Sequence, residues 1–212
     1  MMRLFIALSL PFSVRERLAG LSGGLPGAKW VSIENFHLTL RFIGDSDPSS
    51  LSDIDSALRQ IQQDSFSLTL SDCGVFGSEK KPKALWVGVE TNPSLMQLQQ
   101  RIEHRLHRIG FPAETRKYTP HVTLARFKEN PKSRIGHFIA GNSLFRSEPI
   151  TVTGFSLFSS LLGRTGPVYQ EEARYPLGQA PTLTMADESW DEDWDNESFD
   201  QNIAPMLASW NS

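Results

Sequence analysis

A chain of 212 residues with 39% hydrophobic and 21% charged side chains has the make-up of one soluble globular domain, or of two small lobes sharing a core. Its single cysteine, Cys73, excludes an internal disulfide and a cysteine-built metal site. The net charge of −3 divides unevenly: residues 1–179 carry all 21 Lys and Arg against 16 of the 24 acids, while residues 180–212 hold the other eight acids and no Lys or Arg. A mildly basic body suits a polyanionic substrate.

The opening apolar run holds one basic residue, Arg3, stops at Pro11 and has no small-residue cleavage pattern after it. It therefore reads as a buried strand over Arg3–Ser9 rather than a secretory leader. No run reaches the roughly 18–20 apolar residues of a membrane span. A soluble, cytoplasmic monomer is expected. Ser13–Leu21 has helical character and ends in the Gly-rich segment before Gly27. Trp30–Val31 and Phe36–Ile43 read as strands. Ser49 or Ser50 caps a helix to about Gln62, with Leu51, Ile54, Leu58 and Ile61 on one face. Phe66–Leu70 alternates as a half-buried strand, Phe76–Pro82 reads as a polar turn, and Ala84–Val89 as the next strand. Ser94 opens a helix with Leu95, Leu98, Ile102, Leu106 and Ile109 on its apolar stripe and Gly110 just past its end. His121–Phe127, Ile150–Phe158 and Pro167–Tyr175 complete the strands, with a short helix near Ser133–Ala140. Many strands, few helices and no regular β-helix-β alternation give an α+β class with helices on antiparallel-rich sheets. From Ala180 onward acids alternate with Trp190, Trp194, Phe199 and Trp210, a composition that reads as a disordered or loosely docked extension.

The chemistry-bearing feature is an internal repeat. Phe36-His37-Leu38-Thr39-Leu40 recurs as Pro120-His121-Val122-Thr123-Leu124, with the two histidines 84 residues apart. Strand alternation puts His37 and Thr39 on one face and Leu38 and Leu40 on the other, and the second copy repeats this. One strand from each half can then present His and Thr across a cleft. Imidazoles suit shared acid and base duties because their ordinary pKa, about 6.5, makes both protonation forms available near neutrality. The threonine hydroxyls can hold non-bridging phosphate oxygens while charge builds at phosphorus. A lone His-x-Thr in a strand is an ordinary structural feature. Two copies, each followed by an arginine (Arg41, Arg126) and an aromatic (Phe42, Phe127), carry more weight. Neither copy contains a carboxylate, so neither a metal nor a cofactor is expected, and His104, His107 and His137 are read as surface residues. Strict alternation puts Arg41 on the face of His37 and turns Arg126 away from it unless a bulge re-aims it. Both arginines are candidate phosphate ligands.

With these residues in view, the sequence resembles the two-histidine (2H) phosphoesterase superfamily, specifically the LigT/ThpR-type RNA 2′,3′-cyclic phosphodiesterases. The resemblance rests on Arg3–Ala7, Trp30-Val31, Phe36–Gly44, Leu85–Val89, Tyr118–Arg126 and Phe155–Ser160, in family order over roughly residues 2–178. It implies a bilobal fold with two pseudo-symmetric antiparallel-rich sheets, outer helices and a central cleft, placing the domain at 1–179 and the extension at 180–212. It also implies hydrolysis of a terminal 2′,3′-cyclic phosphate on RNA to a 2′-phosphate, with His37 protonating the leaving 3′ oxygen and His121 activating water. Thr39 and Thr123 would hold the phosphate, assisted by Arg126. Lys80, Lys81, Lys83, Arg116 and Lys117 are candidates for RNA phosphates, and Trp30, Phe42 or Phe127 for base stacking. A phosphodiesterase for a small cyclic nucleotide and a non-catalytic RNA-end-binding or ligation-associated module remain alternatives. The extension is read as solvated, or as an RNA mimic that occupies the basic cleft.

Overall fold

The computed structural model describes residues 2–78, 81–127, 134–163 and 166–178. All of them lie in the unit Met1–Ala180, and the acidic extension lies outside the described residues. The elements run β1 (Met2–Ser9), α1 (Phe12–Ala19), β2 (Ala28–Trp30), a 3-10 turn (Ile33–Asn35), β3 (His37–Ser46), α2 (Ser50–Arg59), β4 (Phe66–Leu68) and β5 (Leu70–Ser78). They continue with β6 (Lys81–Val89), α3 (Pro93–Arg108), β7 (His121–Phe127), α4 (Arg134–Gly141), β8 (Ile150–Val152), β9 (Gly154–Leu162) and β10 (Pro167–Pro176). No helix among the described residues is long and apolar enough to cross a membrane.

Among the described residues the strands form an eight-stranded antiparallel sheet in the order β10-β9-β1-β3-β7-β6-β5, with β2 pairing the Ala125–Phe127 end of β7, beyond its one pair with β3, and a small β4-β8 pair. The two expected sheets are visible as its halves, β10-β9-β1-β3 and β2-β7-β6-β5. They join through one residue pair, Leu38 with Val122. This seam is where the two copies of the repeat meet.

Alternation explains the layering. Leu38, Leu40, Val122 and Leu124 are buried on one face, together with Leu4, Ile6 and Leu8 of β1 and Leu85 and Val87 of β6. The helices supply Leu18, Ile54, Leu58, Leu95, Leu98, Ile102 and Leu106 to the same core. Each such side chain contributes about 1.5–3 kcal/mol on burial, so a one-residue slip of β3 or β7, which would turn several of them outward, is strongly disfavoured.

Three local readings are corrected. Phe76–Pro82 is not one turn, because β5 runs to Ser78 and β6 begins at Lys81. Helix α3 is capped by Asn92, whose side chain accepts the Leu95 N–H at 2.9 Å with Pro93 in the first turn, rather than by Ser94. The strand expected over Ile150–Phe158 breaks at Thr153 into β8 and β9, which pair in different sheets.

Candidate active site at the seam

Because Leu38 pairs with Val122 in an antiparallel register, one step along each strand sets His37 across from Thr123 and Thr39 across from His121. All four side chains line one cleft of about 360 Å³, with Arg126, Lys29, Trp30, Asn35, Phe42, Phe76 and Tyr169. Each histidine thus has a threonine from its own strand two residues on and the other copy's threonine opposite.

Both imidazoles are held the same way. His37 Nδ1 lies 2.7 Å from the Asn35 carbonyl oxygen, and His121 Nδ1 lies 2.7 Å from the Thr119 carbonyl oxygen. A carbonyl only accepts, so Nδ1 carries the proton and donates, leaving Nε2 as the working nitrogen of each ring. Aromatic walls fix the ring planes. His37 lies 4.9 Å from the Phe5 ring and edge-on to Tyr169 at 5.2 Å. His121 lies edge-on to Phe76 at 4.7 Å, with Trp86 at 6.3 Å.

The arginines exchange the roles that strict alternation assigns them. Opposite β6, Ala125 pairs with Leu85 and Thr123 with Trp86, so Leu124 is an extra residue in β7. This bulge makes Leu124 and Ala125 consecutive buried residues and returns Arg126 to the face of His121 and Thr123. Opposite β1, Arg41 pairs with Ile6 and Thr39 with Ala7, so Leu40 is the matching extra residue in β3. Here the bulge turns Phe42 into the cleft and takes Arg41 out of it. Arg41 is therefore not a cleft residue. Its side chain is 10% exposed, with Nε 2.8 Å from Glu103 of α3 and Nη1 3.7 Å from Glu114, and Nη2 donates to the Pro112 carbonyl. It ties β3 to α3 and to the segment after it. Phe42 and Arg126 occupy equivalent slots, each five residues after its histidine.

The other candidates divide. Trp30 and Phe42 line the cleft, Phe42 at 53% exposed, whereas Phe127 packs against the core. Arg116 is paired to Glu114, and Lys81, Lys83 and Lys117 are not among the cleft-lining residues. Lys80 lies outside the described residues. His104, His107 and His137 are exposed, as expected. Among the described residues no group of three or more His, Cys, Asp or Glu side chains could hold a metal ion. Lys29, Asn35, Phe76 and Tyr169 were not singled out from the sequence. Only the spacing of Asn35, two residues before His37 as Thr119 is before His121, carries a signal for any of them.

The description LigT-like phosphoesterase fits the chain twice, over residues 8–86 and 87–169, one copy around each His-x-Thr unit. The chain belongs to this family. Among its relatives, an RNA 2′,3′-cyclic phosphodiesterase of Thermotoga maritima is 34% identical over 80% of this chain and 92% of the relative. One from Archaeoglobus fulgidus is 28% identical over 80% and 97% respectively. Among solved structures, a protein of Thermus thermophilus matches with a TM-score of 0.71 at 26% identity, covering 82% of this chain and 97% of that one. Escherichia coli LigT complexed with 3′-AMP matches with a TM-score of 0.68 at 26% identity, covering 84% and 99%.

In this LigT-like cleft the electrostatics are set by burial and one cation. Desolvation, helped by the charges of Arg126 and His121 and opposed by the Asn35 hydrogen bond, lowers the His37 pKa to about 4. Desolvation and Arg126 also lower that of His121, against the hydrogen bond to Thr119. Both imidazoles are therefore held below their ordinary pKa, toward the neutral form at pH 7. Arg126 acts on both, which places its charge within reach of whatever lies between them.

Proposed function

We propose that this chain hydrolyses a terminal 2′,3′-cyclic phosphate on RNA to a 2′-phosphate, using His37 and His121 as the proton-transfer pair. The observation that carries the reading is the seam: two imidazoles, each with Nδ1 committed to a backbone carbonyl, line one cleft with two threonines and an arginine. The relatives named as RNA 2′,3′-cyclic phosphodiesterases support the substrate class.

The phosphate sits between the rings, with Thr39, Thr123 and Arg126 on its non-bridging oxygens. His121 Nε2 takes a proton from water as the water oxygen bonds to phosphorus. The bond from phosphorus to O3′ breaks, and His37 Nε2 gives its proton to that oxygen, leaving a 2′-phosphate and a 3′-hydroxyl. An anionic substrate offsets the Arg126 charge and raises both imidazole pKa values, most for the more deeply buried His37. Substrate binding thus favours supplying the pair with the one proton that the reaction uses. Phe42 and Trp30 offer the terminal base apolar faces, and Lys29 offers the strand a cation.

The test is to incubate a 2′,3′-cyclic-phosphate oligoribonucleotide with the protein in excess chelator and identify the product end. Turnover that persists and leaves a 2′-phosphate is expected. Loss of turnover on chelation, or a 3′-phosphate product, would overturn the reading.

A further inference from the structure

Tyr169 is a feature of the cleft that the two-histidine chemistry above does not use. It stands on β10, the outermost strand of its half of the sheet, whose pairing with β9 sets Tyr169 opposite Ser160. Alternation puts it on the same face as Pro167, and both line the cleft.

One residue couples this strand to His37. The main-chain oxygen of Asn35 accepts the His37 Nδ1 proton, while its side-chain amide donates to the Pro167 carbonyl at 2.9 Å. The group that orients the imidazole also anchors β10 two residues from the phenol. The Tyr169 ring completes the position, edge-on to His37 at 5.2 Å and to Phe5 at 4.9 Å. Its hydroxyl makes no hydrogen bond among the described residues. Burial raises its pKa while the Arg126 charge opposes the rise, so at neutral pH it is an O–H donor within the field of Arg126.

We propose that the Tyr169 hydroxyl is a further phosphate-contacting group, donating to a non-bridging oxygen of the cyclic phosphate beside Arg126. This rests on the reading above and adds a donor from a third strand. A donor aimed at oxygens that gain charge as the new bond forms acts chiefly on the chemical step. It therefore belongs in kcat more than in KM.

Tyr169→Phe keeps the ring against His37 and Phe5 and removes one oxygen. On a 2′,3′-cyclic-phosphate oligoribonucleotide its kcat is expected to fall about 10–100-fold, in the range of a lost hydrogen bond to a charged group. KM, the limbs of the pH profile and the melting temperature should stay near those of the wild type. Tyr169→Leu, which also removes the wall beside His37, should in addition move a limb of the pH profile. The proposal is overturned if Tyr169→Phe turns over within about twofold of wild type, if its loss is confined to KM, or if it shifts the pH limbs as a purely packing role through His37 would. A wild-type protein that does not hydrolyse the substrate would sink the functional reading instead.

Discussion

His37 and His121 make a chemical commitment that can be checked without any variant. The productive pair carries one proton: above the higher pKa neither ring can act as acid, and below the lower neither can act as base. Both values lie below the ordinary 6.5, with His37 at about 4. The pH profile of kcat/KM, which reports the free protein, should therefore be bell-shaped with its maximum on the acid side of 6.5. A maximum above 7 would contradict the burial and the Arg126 charge assigned to the site. The two arginines should separate cleanly. Arg126→Ala removes the cation beside both imidazoles, so kcat/KM should fall about 10²-fold or more while its pH maximum moves upward. Arg41→Ala breaks a pairing whose side chains are 10% and 21% exposed, between the surface and buried cases. It should cost roughly 1–3 kcal/mol in a denaturant melt and leave kcat close to wild type.

At the level of elements, β3 and β7 carry the site because each begins at its histidine and because each has a bulge at the leucine after its threonine. Alternation within His-x-Thr was legible from the residue types, since Leu38 and Val122 mark the buried face without ambiguity. The bulges were not, because Leu40 and Leu124 look like ordinary core residues and the mismatch exists only relative to β1 and β6. That is why strict alternation puts Arg41 in the cleft and gives Phe42, a stacking candidate, the parity of buried Leu38 and Leu40. Tyr169 was invisible for a related reason: it comes from β10, whose place beside the site depends on sheet order and on the Asn35 contact to Pro167. The helix pattern was easier to read, because Leu95, Leu98, Ile102 and Leu106 mark one face by sequence alone. Packing behind His121 is tight enough to test. A Cβ at Gly74 of β5 would stand 2.2 Å from the Trp86 ring, which lies beside His121. Gly74→Ala should therefore destabilise by roughly 1–3 kcal/mol and lower kcat/KM together. An unchanged melting temperature with full activity would show that Trp86 does not brace the imidazole.

For the whole described unit, the informative fact is that two copies of one motif meet at a single residue pair, Leu38 with Val122. Either half alone would supply one imidazole and one threonine, so the reaction proposed here needs the sheet to be continuous across the seam. Each half is built around its own buried strand pairing, β1 with β3 and β6 with β7, while the seam itself is short. Single-turnover hydrolysis of a 2′,3′-cyclic-phosphate oligoribonucleotide by the wild type and by His37→Ala, His121→Ala and the double variant tests that dependence most directly. Each single variant is expected to be slower by about 10²- to 10⁴-fold, and the double variant far less impaired than the product of the two. A single variant that turns over within about threefold of the wild type would contradict the claim that one imidazole from each half acts on the same phosphorus.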